Sequence, residues 1–269
     1  MKPLKFDDAT ENPVEHILMQ SAAGVLKIVL NRPEKKNAIT AAMYMALADA
    51  FIAADADAAV RVITIEGAGG VFTAGNDLKD FLDNPPRSAD SPPFRFLRAI
   101  SHASKPVIAG VSGIAVGIGT TLLLHCDFAY ATRDARLHLP FVNLGLSPEA
   151  GSSYLLPSLA GYKRAAQLLL LGEPFSAAEA LSAGLLSALC EDGAGMAAAM
   201  NATAAALLAK PAASVRATKA LMRQSQMARI DQAMADEGRI FGERLASPEA
   251  KEAFTAFYEK RKPDFSRFG

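Results

Sequence analysis

Apolar positions along this chain fall into short strand-like runs separated by longer stretches at helical spacing, and the two kinds alternate. Val25 to Leu30 is a β-rich run closed by Asn31-Arg32-Pro33, where proline ends a ladder. Thr40 is placed to cap a helix running to about Ala54, with Met43, Leu47 and Phe51 at four-residue spacing. Val60 to Glu66 alternates like a strand and runs into GAGGVFTAGNDLKDF, a glycine-rich turn with a helix start near Asn76 or Asp77. The polar, proline-rich stretch 83–93 reads as a mobile loop. A helix is predicted over Phe94 to Ala103, a strand over Pro106 to Gly110, helix from Ala115 onward, and a strand again over Cys126 to Ala131. From Lys163 helical spacing dominates, with one strand at Leu185 to Leu189. From about residue 195 the chain is Ala-rich and helical, interrupted at Pro211 and without β segments. The recurring βα order predicts an α/β fold of stacked parallel units rather than an antiparallel sandwich. The domain reading is a core over 1–195 and a helical region over 196–269 that packs on the core or on another subunit, because Ala-rich helices bury little area alone.

Composition narrows the partners. The 269 residues carry a formal net charge of zero, which argues against nucleic acid or an anionic membrane surface, since both reward a basic excess. Pro106 to Cys126 holds no formally charged residue, but four glycines and a proline break it into strand, loop and helix start rather than a membrane span. Two cysteines, Cys126 and Cys190, give no disulfide framework and fit a reducing compartment. The first residues lack a secretory pattern, so a cytoplasmic location is expected.

Several familiar motifs fail. GVSG at Gly110 to Gly113 lacks the final glycine of a nucleophile elbow, and neither glycine-rich turn completes a dinucleotide fingerprint. The four histidines show no i,i+4 pair, so no metal site starts from them and a cofactor-free reaction is expected. His125, beside Leu122 to Leu124, reads as a core or interface histidine. What remains is two glycine-rich turns, each between a strand and a helix, and one carboxylate, Glu149, between Pro148 and Gly151. Backbone N–H groups at such turns lack intrahelical partners, and glycine lets a ligand approach closely, so two turns side by side can direct two donors at one oxygen. Glu149 itself has two readings: a base, or a carboxylate placed to stabilise the start of the AGSSYLL helix.

NRPEKKNAI, FTAGNDLKDF, VSGIAVGIGTTLLLHCDFAYA and LGLSPEAGSSYLLP, in this order, resemble the crotonase (enoyl-CoA hydratase/isomerase) superfamily, and the last three are closest to its Δ3,Δ2-enoyl-CoA isomerase branch. The resemblance implies a spiral of ββα units with a helical C-terminal region, an acyl-CoA thioester substrate, and a homotrimer or a dimer of trimers. It implies that the backbone N–H groups of Asn76 and Ile118, after Gly75 and Gly117, hold the thioester oxygen. It places CoA along Lys35, Lys36, Asn37 and Ala38 and past Ala74, Gly75, Asp77 and Leu78, and Glu149 as the one acid/base. The apolar run Ile118 to Leu124 is expected to form a helix that walls the acyl group, and Phe141 and Leu144, counted with the substrate site, are expected with Leu146 to give Glu149 an apolar setting that raises its pKa toward working pH. Hydratases of the superfamily carry two glutamates, at the positions matching Thr121 and Phe141. Neither is a carboxylate here, so the expected reaction moves a 3-enoyl double bond to C2. The alternatives are a hydratase-like or other enolate-forming acyl-CoA reaction, or a CoA-binding paralogue without chemistry.

Overall fold

The structure, a computed structural model, describes residues 16–86, 88 and 90–268. Nine strands and ten helices are defined in it: β1 (Ile17–Ala22), β2 (Val25–Leu30), α1 (Ala41–Ala56), β3 (Val62–Gly67), α2 (Leu78–Asp83), α3 (Pro92–Ser101), β4 (Val107–Val111), β5 (Ile114–Val116), α4 (Ile118–Thr121), β6 (Phe128–Thr132), β7 (Arg136–His138), α5 (Ser152–Ala160), α6 (Tyr162–Leu170), β8 (Phe175–Ser176), α7 (Ala177–Ser182), β9 (Ala188–Cys190), α8 (Gly193–Leu208), α9 (Ala212–Leu245) and α10 (Pro248–Tyr258). The large sheet has the order β1-β2-β3-β4-β6-β9, and only the β1–β2 edge pair is antiparallel. A second sheet orders β5-β7-β8.

The two sheets are linked turn by turn. β4 passes into β5, and β6 into β7, each after a short break. The same step occurs earlier as isolated bridges: Ile39 pairs with Asn76, and Thr73 with Ala115. Each turn is therefore a long strand, a short strand or bridge, and a helix. This is the crotonase-type spiral of ββα units expected from the sequence.

Local chemistry explains the elements. Thr40 caps α1 by accepting the Met43 N–H at 3.3 Å, and Met43, Leu47 and Phe51 are buried. β3 is buried on both faces, as a parallel strand covered on each side must be. Val62 and Ile108 on one side pack with Met196, Met200 and Ala204 of α8. Ile63 and Ile65 on the other face the main core, which α1 and α3 enter through Phe51 and Phe96. The boundary expected at 195/196 thus falls within α8, a helix that covers the sheet. α9 is tied to the core by Lys219, whose Nζ donates to Asp127 at 2.6 Å and to the Lys105 carbonyl at 2.8 Å. The tail after α10 is folded back onto that helix by buried Glu252, which accepts from Arg261 and from Arg267.

Some expectations need correction. Helix does not begin at Ala115: Ile114–Val116 is β5, α4 begins at Ile118, and Leu122–His125 is a 3-10 turn, so the run Ile118 to Leu124 is no long helix. Within 83–93, Asp83 ends α2 and the Pro92-Pro93 pair opens α3, as proline suits a first helical turn; Arg87 and Ala89 lie outside the described residues. Residues 1–15, on which the expectation about a leader rested, also lie outside them. No described helix is long and apolar enough to cross a membrane.

Candidate active site

The two glycine-rich turns lie against each other because their backbones are laced as short strands. Phe72 N–H donates to Ser112 O, Thr73 N–H to Ile114 O, and Val116 N–H back to Thr73 O. Gly75 then sits so close to Val116 that a Cβ on it would lie 2.6 Å from the Val116 carbonyl oxygen, at φ +86°. Only glycine fits there. Asn76 and Ile118 follow Gly75 and Gly117 on the two segments, Ile118 as the first residue of α4. Neither of their N–H groups has an acceptor among the described residues, whereas Gly75 N–H is taken by Thr73 Oγ1 and Gly117 N–H by His138 O. The Asn76 side chain is held from α1 by the Tyr44 hydroxyl at 2.5 Å.

The loop 33–38 lies alongside. Ala74 N–H donates to Lys36 O, Ile39 N–H to Gly75 O, and Asp77 N–H to Ile39 O. Asn37 is fully buried at φ +54°, and its side chain ties the loop to the first glycine-rich turn: Oδ1 accepts Arg32 N–H, while Nδ2 donates to Ala68 O and Val71 O. Asp77 is likewise committed. It caps α2 and pairs with Arg32 at 2.6 Å, and that pairing and capping hold its carboxyl below its ordinary range against the opposing effect of burial. Lys35 and Lys36 are exposed, and Ala38 offers its carbonyl to Arg32. Leu78 packs against the core.

Glu149 is 8% exposed and accepts a hydrogen bond from Thr121 Oγ1 at 2.7 Å. Burial pushes its pKa up to about 7; the Thr121 hydroxyl opposes this and the negative charge of Glu237 adds to it. Glu149 does not cap α5. That role belongs to Glu237 of α9, whose carboxylate accepts Gly151 N–H at 2.6 Å and Ser153 N–H at 2.8 Å. Between them Ala150 takes a left-handed φ of +63°, and its carbonyl accepts from His125 Nε2 at 2.8 Å. His125 is neutral at working pH, since burial lowers its pKa to about 4. Its Nδ1 has no hydrogen-bond partner among the described residues.

Glu149 and Ala150 open into a cavity of about 780 Å³ whose apolar walls are Phe94 and Leu97 of α3 and Met234 of α9. Neither the 118–124 run nor Phe141 nor Leu144 lines it. The helix expected over Ile118 to Leu124 is broken into α4 and a 3-10 turn, and Leu144 lies in another 3-10 turn that contacts α10. Tyr44, His125 and Glu237 were not foreseen as parts of the site. No group of three or more metal-ligating side chains occurs among the described residues.

The family model for enoyl-CoA hydratase/isomerase matches residues 20–267. The chain belongs to this family. A crotonyl-CoA hydratase of Syntrophomonas wolfei is 33% identical over 93% of the chain and 98% of that protein. Enoyl-CoA delta isomerase 2 of Homo sapiens is 31% identical over 94% of the chain and 66% of that protein. A solved structure, OdaA of Pseudomonas aeruginosa, superposes with a TM-score of 0.88 at 48% identity, covering 90% of the chain and 98% of that structure. Hydratase and isomerase names both occur among these relatives, so membership establishes an enzyme family that acts on acyl-CoA thioesters. The choice of reaction turns on the site.

Proposed function

We propose that this member of the family is a Δ3,Δ2-enoyl-CoA isomerase with Glu149 as its only acid/base. The observation that carries the reading is the Thr121–Glu149 hydrogen bond: the position where a hydratase of the superfamily holds a glutamate is occupied by a hydroxyl that orients the remaining carboxylate. The other cavity carboxylates are engaged, Glu237 at the start of α5 and Asp231 with His102 at 3.3 Å. Glu149 takes the proton from C2 of a 3-enoyl thioester, charge gathers on the thioester oxygen facing the Asn76 and Ile118 N–H groups, and the same carboxyl returns the proton at C4. CoA runs along the 33–38 loop and Ala74 to Leu78, contacting mainly backbone, with Lys35 and Lys36 at the rim. The acyl group lies among Phe94, Leu97 and Met234. The test is conversion of trans-3-hexenoyl-CoA, read as conjugated-thioester absorbance, against hydration of a 2-enoyl-CoA. Hydration faster than isomerisation would overturn the assignment.

The base must be ionised to act, and its pKa is raised to about 7, so kcat/KM falls as pH drops below about 7. Thr121 stabilises the ionised form, so Thr121→Val shifts this acid limb to higher pH, by about 1 unit. A limb that stays in place in the variant would separate Thr121 from the base.

The chain also exposes large apolar side chains, among them Tyr162 and Leu170 of α6 and Leu221 and Met222 of α9. These support the proposal that it assembles as a homotrimer or a dimer of trimers. Sedimentation velocity at micromolar concentration is expected to show no monomer; a purely monomeric boundary would remove the proposal.

A further inference from the structure

Glu237 presents a puzzle that the isomerase reading does not absorb. It is a carboxylate 6% exposed, on the long helix α9, and it lines the same cavity as Glu149. Burying a second negative charge beside a first is costly, and a neutral cap would satisfy the N–H groups of Gly151 and Ser153 equally well. The local geometry supplies a reason. Glu149 sits three residues before α5, its own carbonyl accepting Ser152 N–H, so the positive end of that helix lies next to it. With no acidic partner there, the helix end would hold Glu149 ionised and weak as a base. Glu237 occupies the helix end instead, bonding the two N–H groups that flank Ser152.

We infer that Glu237 is a positioning residue for the base: from α9 it clamps the Gly151–Ser153 backbone, occupies the α5 N-terminus in place of Glu149, and so leaves Glu149 turned into the cavity. This rests on the assignment of Glu149 as the base. Burial raises the pKa of Glu237 itself, against the hydrogen bonds from Ser153 and Gly151; in its ionised form its charge adds to its cover over the helix end, and both favour the protonated form of Glu149. The other groups around Glu149 are accounted for. Thr121 donates to it; Tyr44 stays a neutral phenol, driven upward by burial and by the Glu149 charge; His125 is neutral. His102, Asp231, Arg98 and Arg239 line the same cavity, and His102 pairs with Asp231, Arg98 with Asp90, and Arg239 with Glu243.

The test compares wild type, Glu237→Gln and Glu237→Asp by the pH profile of kcat/KM and by infrared titration of buried carboxyl groups. Glu149→Gln identifies the Glu149 band. Glu237→Gln keeps the shape and loses the charge; its acid limb and its Glu149 band are expected to move about 1 unit to lower pH, with kcat down about tenfold. Glu237→Asp draws the carboxylate back from the helix end, and both readouts are expected to move the same way by less. Should the Gln variant fail to fold, the Asp variant carries the test. Unmoved profile and band in a folded variant, with only the melting temperature lowered, would make Glu237 a structural cap and overturn the inference. The infrared titration needs no turnover, so an inactive wild type would refute the isomerase assignment while the band still decides the role of Glu237.

Discussion

Glu149→Gln is expected to lose at least about a thousandfold in isomerisation rate while keeping the fold. The amide oxygen still accepts the Thr121 hydroxyl, so the side chain stays in place, but no proton can be taken from C2 or returned to C4. The same substitution carries a stability signature of known sign. The folded-state pKa of Glu149 is raised from an ordinary 4.5 to about 7, so between these values the folded chain holds a proton that the unfolded chain has released. Stability contributed by Glu149 is therefore greatest below about pH 4.5, declines as pH rises to about 7, and stays low above. An amide has no proton to lose, so Glu149→Gln is expected to melt above wild type at pH 8, with the difference vanishing near pH 4. Calorimetry at the two pH values checks this. A variant that keeps activity, or that is destabilised equally at both, would show that Glu149 is not a buried acid/base.

Gly75→Ala is expected to lower kcat about a hundredfold, comparable to removing one oxyanion donor. The added Cβ would meet the Val116 carbonyl oxygen at 2.6 Å, in a left-handed backbone that alanine adopts poorly. Relief requires the Gly75–Asn76 segment to move from the Val116–Ile118 segment, which parts the two donors without touching Glu149. Gly70→Ala is the control. It shares the positive φ, +71°, on the same turn, but its Cβ meets nothing within 4 Å. Backbone strain alone would lower the melting temperature of both variants; loss of the paired donors would lower kcat only at Gly75. Equal activity in the two would remove the oxyanion role from this pair of turns.

β2, β3, β4 and β6 were legible because each is a β-rich run that ends at glycine, proline or a polar cluster, and α1 because Thr40 and the four-residue spacing agree; β1 was not foreseen, and β9 was placed a few residues early. The short strands β5, β7 and β8 were not. Ile114 to Val116 is three residues between two glycines, and its strand character comes from β7, whose Arg136 and His138 are no strand formers. Local propensity has nothing to act on in two- or three-residue strands defined by their partners. Among the site residues, the donor turns and Glu149 were visible because glycine clusters and an isolated acid in an apolar segment are unusual. Glu237 was invisible, since an acid within ADEGR looks like any exposed helical carboxylate until Gly151 and Ser153 are seen against it. Asn37 was expected along CoA by resemblance; its amide accepts from Arg32 N–H and donates to the carbonyls of Ala68 and Val71, which ties its loop to the first glycine-rich turn and could be seen only in three dimensions.

The clamp on the base joins residues 86 apart in sequence, Gly151 and Glu237. The length of the closed loop adds little to its entropic cost, which grows only as a logarithm. Its effect is on order in time. β2, β3, β4 and β6 and both donor turns lie within the first half of the chain, whereas α9 is made near the end. During synthesis from the N-terminus the electrophilic half of the site can form while the base segment still lacks its clamp. A growing chain thus acquires a place for the oxyanion before it acquires the means to generate one.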